Sequence, residues 1–306
     1  MSFLVIPKIV VFRRYNSDYT TIPSRDYHTV LEHFKRRVAP RLMCTLIILR
    51  RPKHLWPLVI AANRDEMLTR TWEPPARHWP DRPTTVAGLD QTAGGSWLGI
   101  NDYGVVAGIL NRTGALGPEK GKRSRGELVL EALEHADAKV AADAISDLDQ
   151  RSYRPFNLVV ADNRDAFWIA HRNKTDHPLI EVNTIPTGVS MLTAHDLNDG
   201  TCPRTRDFLP SFQSSVEPDP GTDSWTDWTK LMSSKAHRQA DGPTEAMNIV
   251  TDFGFGTSSS SFIAVPAAKG TDTLPIWKFA SGDPSNGNYE FVKFGTKFLN
   301  HSVMAK

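Results

Sequence analysis

The feature that most constrains this chain is a series of short apolar, β-branched runs joined by turns too short for a helical crossover. "CTLIILR" (44–50) and "LVIAA" (58–62) flank a turn around Pro52 and Pro57. "WLGI" (97–100) and "VVAGIL" (105–110) flank Asn101-Asp102-Tyr103-Gly104, and "FNLVVAD" and "AFWIAHR" flank Asn163-Arg164-Asp165. Strands joined so tightly pair antiparallel. Later runs, "TGVSMLTAHD", "SFIAVP" and "PIWKFA", add strands. Between them lie helical stretches. "SRGELVLEALEHA" offers Ser124 and Glu127 at capping-box spacing and Val129, Leu130 and Leu133 as an apolar face. A second helix is expected over Ala138–Leu148. Residues 67–85, rich in Pro, Arg and Trp, read as a loop. Residues 211–242 read as a loop-heavy insertion with a short helix near Trp225–Leu231, and "PTEAMNIV" as a helix starting near Pro243. Hairpins at both ends with helices between them predict an α+β fold: two antiparallel sheets face to face with helices outside.

Charge divides the chain. Its 306 residues carry a net +2, but residues 1–42 hold eight Lys/Arg against three Asp/Glu, leaving the remainder at −3. The expected folded part, one domain over 43–306, has no electrostatic reason to bind nucleic acid. No apolar run approaches the roughly 20 residues of a membrane span. The basic segment 1–42, in which Tyr27–Val38 could form a short amphipathic helix, has three open readings: a start at Met43, a mitochondrial presequence, or a retained tail. The two cysteines, Cys44 and Cys202, form no disulfide framework and suit a reducing compartment.

The candidate chemistry gathers at two ends of one hairpin. Cys44 opens the first strand, and Asn63, Arg64, Asp65 and Glu66 follow the second. Antiparallel pairing brings Cys44 toward Asp65 and Arg64, where a carboxylate and a guanidinium can shift a thiol's pKa. The alternative is a charged strand end beside a small buried cysteine. Were Cys44 the first residue of a mature chain, its α-amine, titrating near roughly 7.7–8.0, could take the thiol proton. "GALGPEKGKRS" misses the phosphate-loop spacing in every frame. His135, His171, His177 and His195 lack metal-ligand spacing, so no metal and no cofactor is expected. Three sequons, at Asn111, Asn173 and Asn300, carry little without a secretory signal. Trp72, Trp79 and Trp97 read as core before they read as a ligand cage.

Met43-Cys44-Thr45, "AANRDE", "GGSWLGI", "GVVAGILN", "SRGELV", "YRPFNLVVAD" and "FGTSSSSFIAVP", in this order, resemble the NRDE family, also called the transport and Golgi organisation protein 2 family. The resemblance implies a four-layer αββα sandwich similar to the N-terminal-nucleophile hydrolases. It implies a role in Golgi organisation, secretory transport and haem or lipid homeostasis; the expected location is the cytoplasm, with the Golgi as the alternative the resemblance adds and the mitochondrion the one that a presequence over 1–42 would add. Through similarity to N-terminal-cysteine amidases, it also implies an alternative: hydrolysis of an amide with Cys44 as nucleophile, Asp65 as the nearby carboxylate and Asn111 in the oxyanion hole. The expected partner is a small amphipathic ligand or N-acyl amide, with haem and acyl-CoA as candidates. Asn63, Arg64, Trp79 and His195 are the expected binding residues. Three positions depart from the pattern. Ala62 stands where the amidases carry Arg, Thr193-Ala194-His195 where a Ser-Asn pair is usual, and Gly256-Thr257-Ser258 lacks a basic residue.

Overall fold

The computed structural model describes residues 44–115, 117–172, 180–267 and 273–294, with the backbone of three short strands near the N-terminus. Those three, β1 (Phe3–Ile6), β2 (Ile9–Arg13) and β3 (Tyr19–Pro23), form their own antiparallel sheet. The helix expected over Tyr27–Val38 lies outside the described residues.

Two larger antiparallel sheets build the body. One has six strands in the order β13-β4-β5-β14-β15-β16. It consists of β4 (Thr45–Arg50), β5 (Leu58–Met67), β13 (Gly188–Leu192), β14 (Phe255–Val265), β15 (Ile276–Ser281) and β16 (Glu290–Phe291). The other has seven, β12-β11-β10-β9-β8-β7-β6. These are β6 (Trp72–Ala76), β7 (Thr85–Asp90), β8 (Leu98–Asn101), β9 (Val106–Asn111), β10 (Phe156–Ala161), β11 (Ala166–His171) and β12 (Ile180–Thr184). The three hairpins expected from the sequence are all present. Among the described residues, helices α1 (Gly126–Ala132), α2 (Ala138–Ser146), α3 (Pro203–Ser214) and α4 (Thr226–Met232) complete the body.

Alternation along the strands sorts the apolar residues into three layers of core. Leu46, Ile48, Ile60, Ala62 and Ile263 of the six-stranded sheet meet Val86, Leu98, Ile100, Leu110 and Val159 of the seven-stranded sheet. Their neighbours Ile47, Leu49, Val59 and Ala61 point the other way, against Phe208 and Phe212 of α3 and Trp228 and Met232 of α4. Leu128, Val129, Ala141 and Ile145 of α1 and α2 cover Ala107, Leu158 and Ile169. The result is a four-layer αββα sandwich. Each fully buried Ile or Leu, such as Ile48 and Ile60, contributes about 1.5–3 kcal/mol. Where the "GGSW" turn meets the start of α1, the backbones touch: a Cβ on Gly95 would lie 2.6 Å from the Gly126 carbonyl carbon. No helix among the described residues is long and apolar enough to cross a membrane.

Five local expectations are corrected. Strand β5 runs on through Met67, because Asn63 to Glu66 find polar partners and the ladder to β14 continues to Phe255. The stretch 67–85 contains β6, an outer edge strand where Pro74 and Pro75 cost no inner ladder bond and a bulge absorbs them. Segment 211–242 is less loop-like than expected, since α3 runs into it as far as Ser214, while the short helix expected near Trp225–Leu231 is present as α4. "PTEAMNIV" makes only a 3-10 turn, Pro243–Glu245, because Thr244 and Met247 give their carbonyls to Arg204 and Asn63. The capping box of α1 does not form: Ser124 Oγ accepts from Gly126 N at 3.3 Å, while Arg123 Nε donates to Glu127 at 2.8 Å.

Candidate functional site

Cys44 leads into β4, an inner strand between β13 and β5, whose register pairs Thr45 with Asn63. Extending that register by one residue sets Cys44 beside Arg64. Asp65 N–H donates to Cys44 Sγ at 3.4 Å, and the thiol points back to Asp65 O at 3.6 Å. The contact between Cys44 and Asp65 is therefore made by the peptide backbone. The carboxylate of Asp65 lies on the opposite face of the sheet, as the strand's period of two requires.

On that face Arg204 Nη1, from α3, donates to Asp65 Oδ2 at 3.0 Å and to Thr45 Oγ1 at 2.6 Å. Thr257 Oγ1 donates to Asp65 Oδ1 at 2.6 Å. Neither Arg204 nor Asp65 has any side-chain exposure. Burial pushes the Asp65 carboxyl up to about 6, against the opposing pull of Arg204 and Thr257. Asn63 shares this face and holds two carbonyls, Met232 O at 3.0 Å and Met247 O at 2.8 Å.

On the inter-sheet face Cys44 packs at the edge of the central core, half-buried as a residue. Burial of its thiol, helped by the negative charge of Asp65, pushes it up to about 12. Arg64 lies with its guanidinium 4.6 Å from the Trp97 ring centre and donates to Ser258 Oγ at 3.0 Å. Cys44, Ala62, Arg64, Trp97, Leu110 and Ser259 line a hollow of about 10 Å³. That holds about one water molecule and nothing larger.

The remaining expected residues are dispersed. Asn111 ends β9, half-buried, next to Leu110 of the hollow. Trp79 is remote from the thiol. It packs against the cluster beneath α1 and α2, and its indole N–H donates to Gly94 O at 3.3 Å. Trp97 takes the aromatic place beside Cys44, packed edge-on to Trp72 at 5.7 Å. His195 lies on a second cavity, with Arg112 and Arg172. Among the described residues no group of His, Cys, Asp and Glu is arranged to hold a metal.

Arg204 is the residue that sequence reasoning missed. Nothing in "CPRTRD" marks it as a partner of Asp65, 139 positions away. Ala62, standing where the amidases carry Arg, was a hint, because a buried carboxylate without its usual arginine calls for one from elsewhere.

The fold and this site define a class: αββα proteins in which a cysteine leads an inner strand of one sheet, with a buried carboxylate–guanidinium pair behind it. Residues 43–287 match the model of the family described as Transport and Golgi organisation 2, and the chain belongs to that family. The Transport and Golgi organization protein 2 homolog of Bos taurus is 36% identical over 123 residues, covering 36% of this chain and 40% of the relative. The Homo sapiens homolog is 35% identical over 120 residues, with the same two shares. The matched part thus spans well under half the length of these relatives. Among solved structures, the Caenorhabditis elegans N-acylethanolamine-hydrolyzing acid amidase (NAAA) ortholog is similar over 72% of this chain and 92% of its own, at 13% identity and a TM-score of 0.40.

Proposed function

We propose that this protein acts in transport and Golgi organisation, the role its relatives' names carry, that the transport is secretory, and that it acts by binding rather than by turnover at Cys44. The state of the thiol supports the last of these. A thiol pushed up to about 12 holds almost no thiolate at neutral pH, and the thiolate is the nucleophile. Handling of haem, lipid or acyl-CoA is the finer part of the proposal, as is placement at the Golgi or in the mitochondrion. Sites for organic ligands of drug size and above have volumes of about 300–1,000 Å³, so the hollow beside Cys44 would have to open for them.

The test is complementation. Cells depleted of the protein receive full-length wild type or Cys44→Ala, and Golgi morphology and cargo flux are scored. Rescue by both supports the binding role. Depleted cells with no Golgi or secretion defect remove it.

One observation favours a second reading, an N-terminal-cysteine amidohydrolase acting on an N-acyl amide: the cysteine heads an inner strand with Asp65 N–H on its sulfur. Cleavage of the chain before Cys44 would supply the amine base. Rescue by wild type alone, with Cys44→Ala folded and equally expressed, moves the assignment to this reading. Intact-mass determination of the endogenous N-terminus decides whether that amine exists.

A further inference from the structure

A second cavity, about 320 Å³, shares no lining residue with the hollow beside Cys44. The two flank the end of β9: Leu110 lines the hollow, Arg112 lines the cavity, and Asn111 separates them in the chain. Arg112, Thr113, Arg172, His195, Asp196 and Asp199 form its walls.

The acceptors of this cavity are already engaged. Asp196 Oδ1 accepts from Arg112 Nη2 at 2.6 Å and Arg172 Nε at 3.3 Å, and Oδ2 accepts from Arg172 Nη2 at 3.0 Å. Asp199 Oδ1 accepts from Thr201 N and Oγ1 at 2.9 and 2.7 Å, and Oδ2 lies 3.5 Å from His195 Nδ1. The donors are not used up. Arg112 gives one N–H to Asn157 Oδ1 at 2.6 Å and one to Asp196, from a guanidinium that carries five. Its Nε–H has no protein partner among the described residues, and neither has His195 Nε2, which donates when the ring is protonated against Asp199.

The site is also built to keep its shape. Asn157 is fully buried. It accepts from Arg112 and from Trp168 Nε1 at 3.0 Å, and donates to Thr193 O at 2.8 Å and His195 O at 2.7 Å. Arg172 stands 5.3 Å over the Trp168 ring. A positioned guanidinium with spare N–H groups is suited to a planar two-oxygen anion.

We propose that this cavity binds a small organic carboxylate, held by Arg112 and completed by His195. The two guanidiniums are met by three carboxylates, Asp196, Asp199 and Glu181, so the surround disfavours a polyanion and a carboxylate is held by directed N–H bonds from Arg112. The volume lies at the small end of the range for ligand sites, well short of haem or acyl-CoA. The proposal stands apart from any chemistry at Cys44.

The test uses full-length protein with ¹⁵N-labelled arginine, titrated with benzoate and, in parallel, with acetate, inorganic phosphate and chloride at matched ionic strength. A saturable shift of the Arg112 Nε–H signal with the carboxylates is expected. Affinity, read in Arg112→Gln from the Arg172 Nε–H signal, should fall about tenfold or more in that variant, which loses a charge-assisted contact, and about threefold or more in His195→Leu. The His195 side chain lies outside the Asn157 network, so its variant keeps the test valid if Arg112→Gln fails to fold. The proposal is overturned by no saturable shift, by an equal response to chloride or phosphate, or by benzoate affinity unchanged in the folded variants.

Discussion

The guanidinium of Arg204 and the carboxylate of Asp65 lie 3.0 Å apart with both side chains wholly buried. Breaking such a pair from one side strands a charge in the core. Arg204→Met or Asp65→Ala alone should destabilise the fold by about 3–5 kcal/mol. The double variant should lose much less than the sum of the two. Urea denaturation of the two single variants and the double variant checks this, and additive losses would mean that the pair is not coupled.

Asp65 should also leave a mark on the pH dependence of stability. Its carboxyl is pushed up to about 6 in the fold. An unfolded aspartate titrates near roughly 3.9. The native state therefore holds the proton more tightly, so the contribution is complete below about pH 4 and is lost as pH rises through about 6. The loss is on the order of 2–3 kcal/mol. Asp65→Asn should flatten the stability profile across this window relative to wild type. Parallel profiles for the two proteins would refute it.

Cys44 should be inert in the fold. With the thiol pushed up to about 12, its alkylation at pH 8 should be slower than that of an unperturbed thiol by about a thousandfold. Unfolding in urea should restore the rate. Mass spectrometry of iodoacetamide-treated protein, read at Cys44 against time, checks this, and fast native labelling would show an activated thiol.

Gly95→Ala should cost about 1–3 kcal/mol, because the new methyl meets the Gly126 backbone, which cannot turn aside. Gly200→Ala, with nothing within 4 Å of its added carbon, should stay within about 0.5 kcal/mol. Thermal unfolding of both variants is the measurement.

The sheets were legible in the sequence because their signals are local: apolar alternation and short turns at 101–104 and 163–165. What was not legible depended on contacts distant in the chain. Asn63 to Glu66 look like a strand end until Met232, Met247, Arg204 and Thr257 are in place to satisfy them. "WEPPA" looks like a loop until its edge position removes the need for inner N–H groups. The adjacency of Cys44 and Asp65 followed from pairing alone. Which face the carboxylate takes depends on continuing the strand past residue 62. Trp79 and Trp97 are alike as tryptophans, and only the fold tells which one borders the thiol.

The sheet also acts as a partition. The thiol belongs to one compartment of the molecule and the carboxylate to another, joined by a single peptide unit at Asp65. Changes in the α3 layer can thus accumulate without redrawing the surroundings of the sulfur, and the reverse holds too. The two compartments are free to diverge at different rates, coupled where the Asp65 N–H meets the sulfur and where the Asp65 charge reaches the thiol through the sheet.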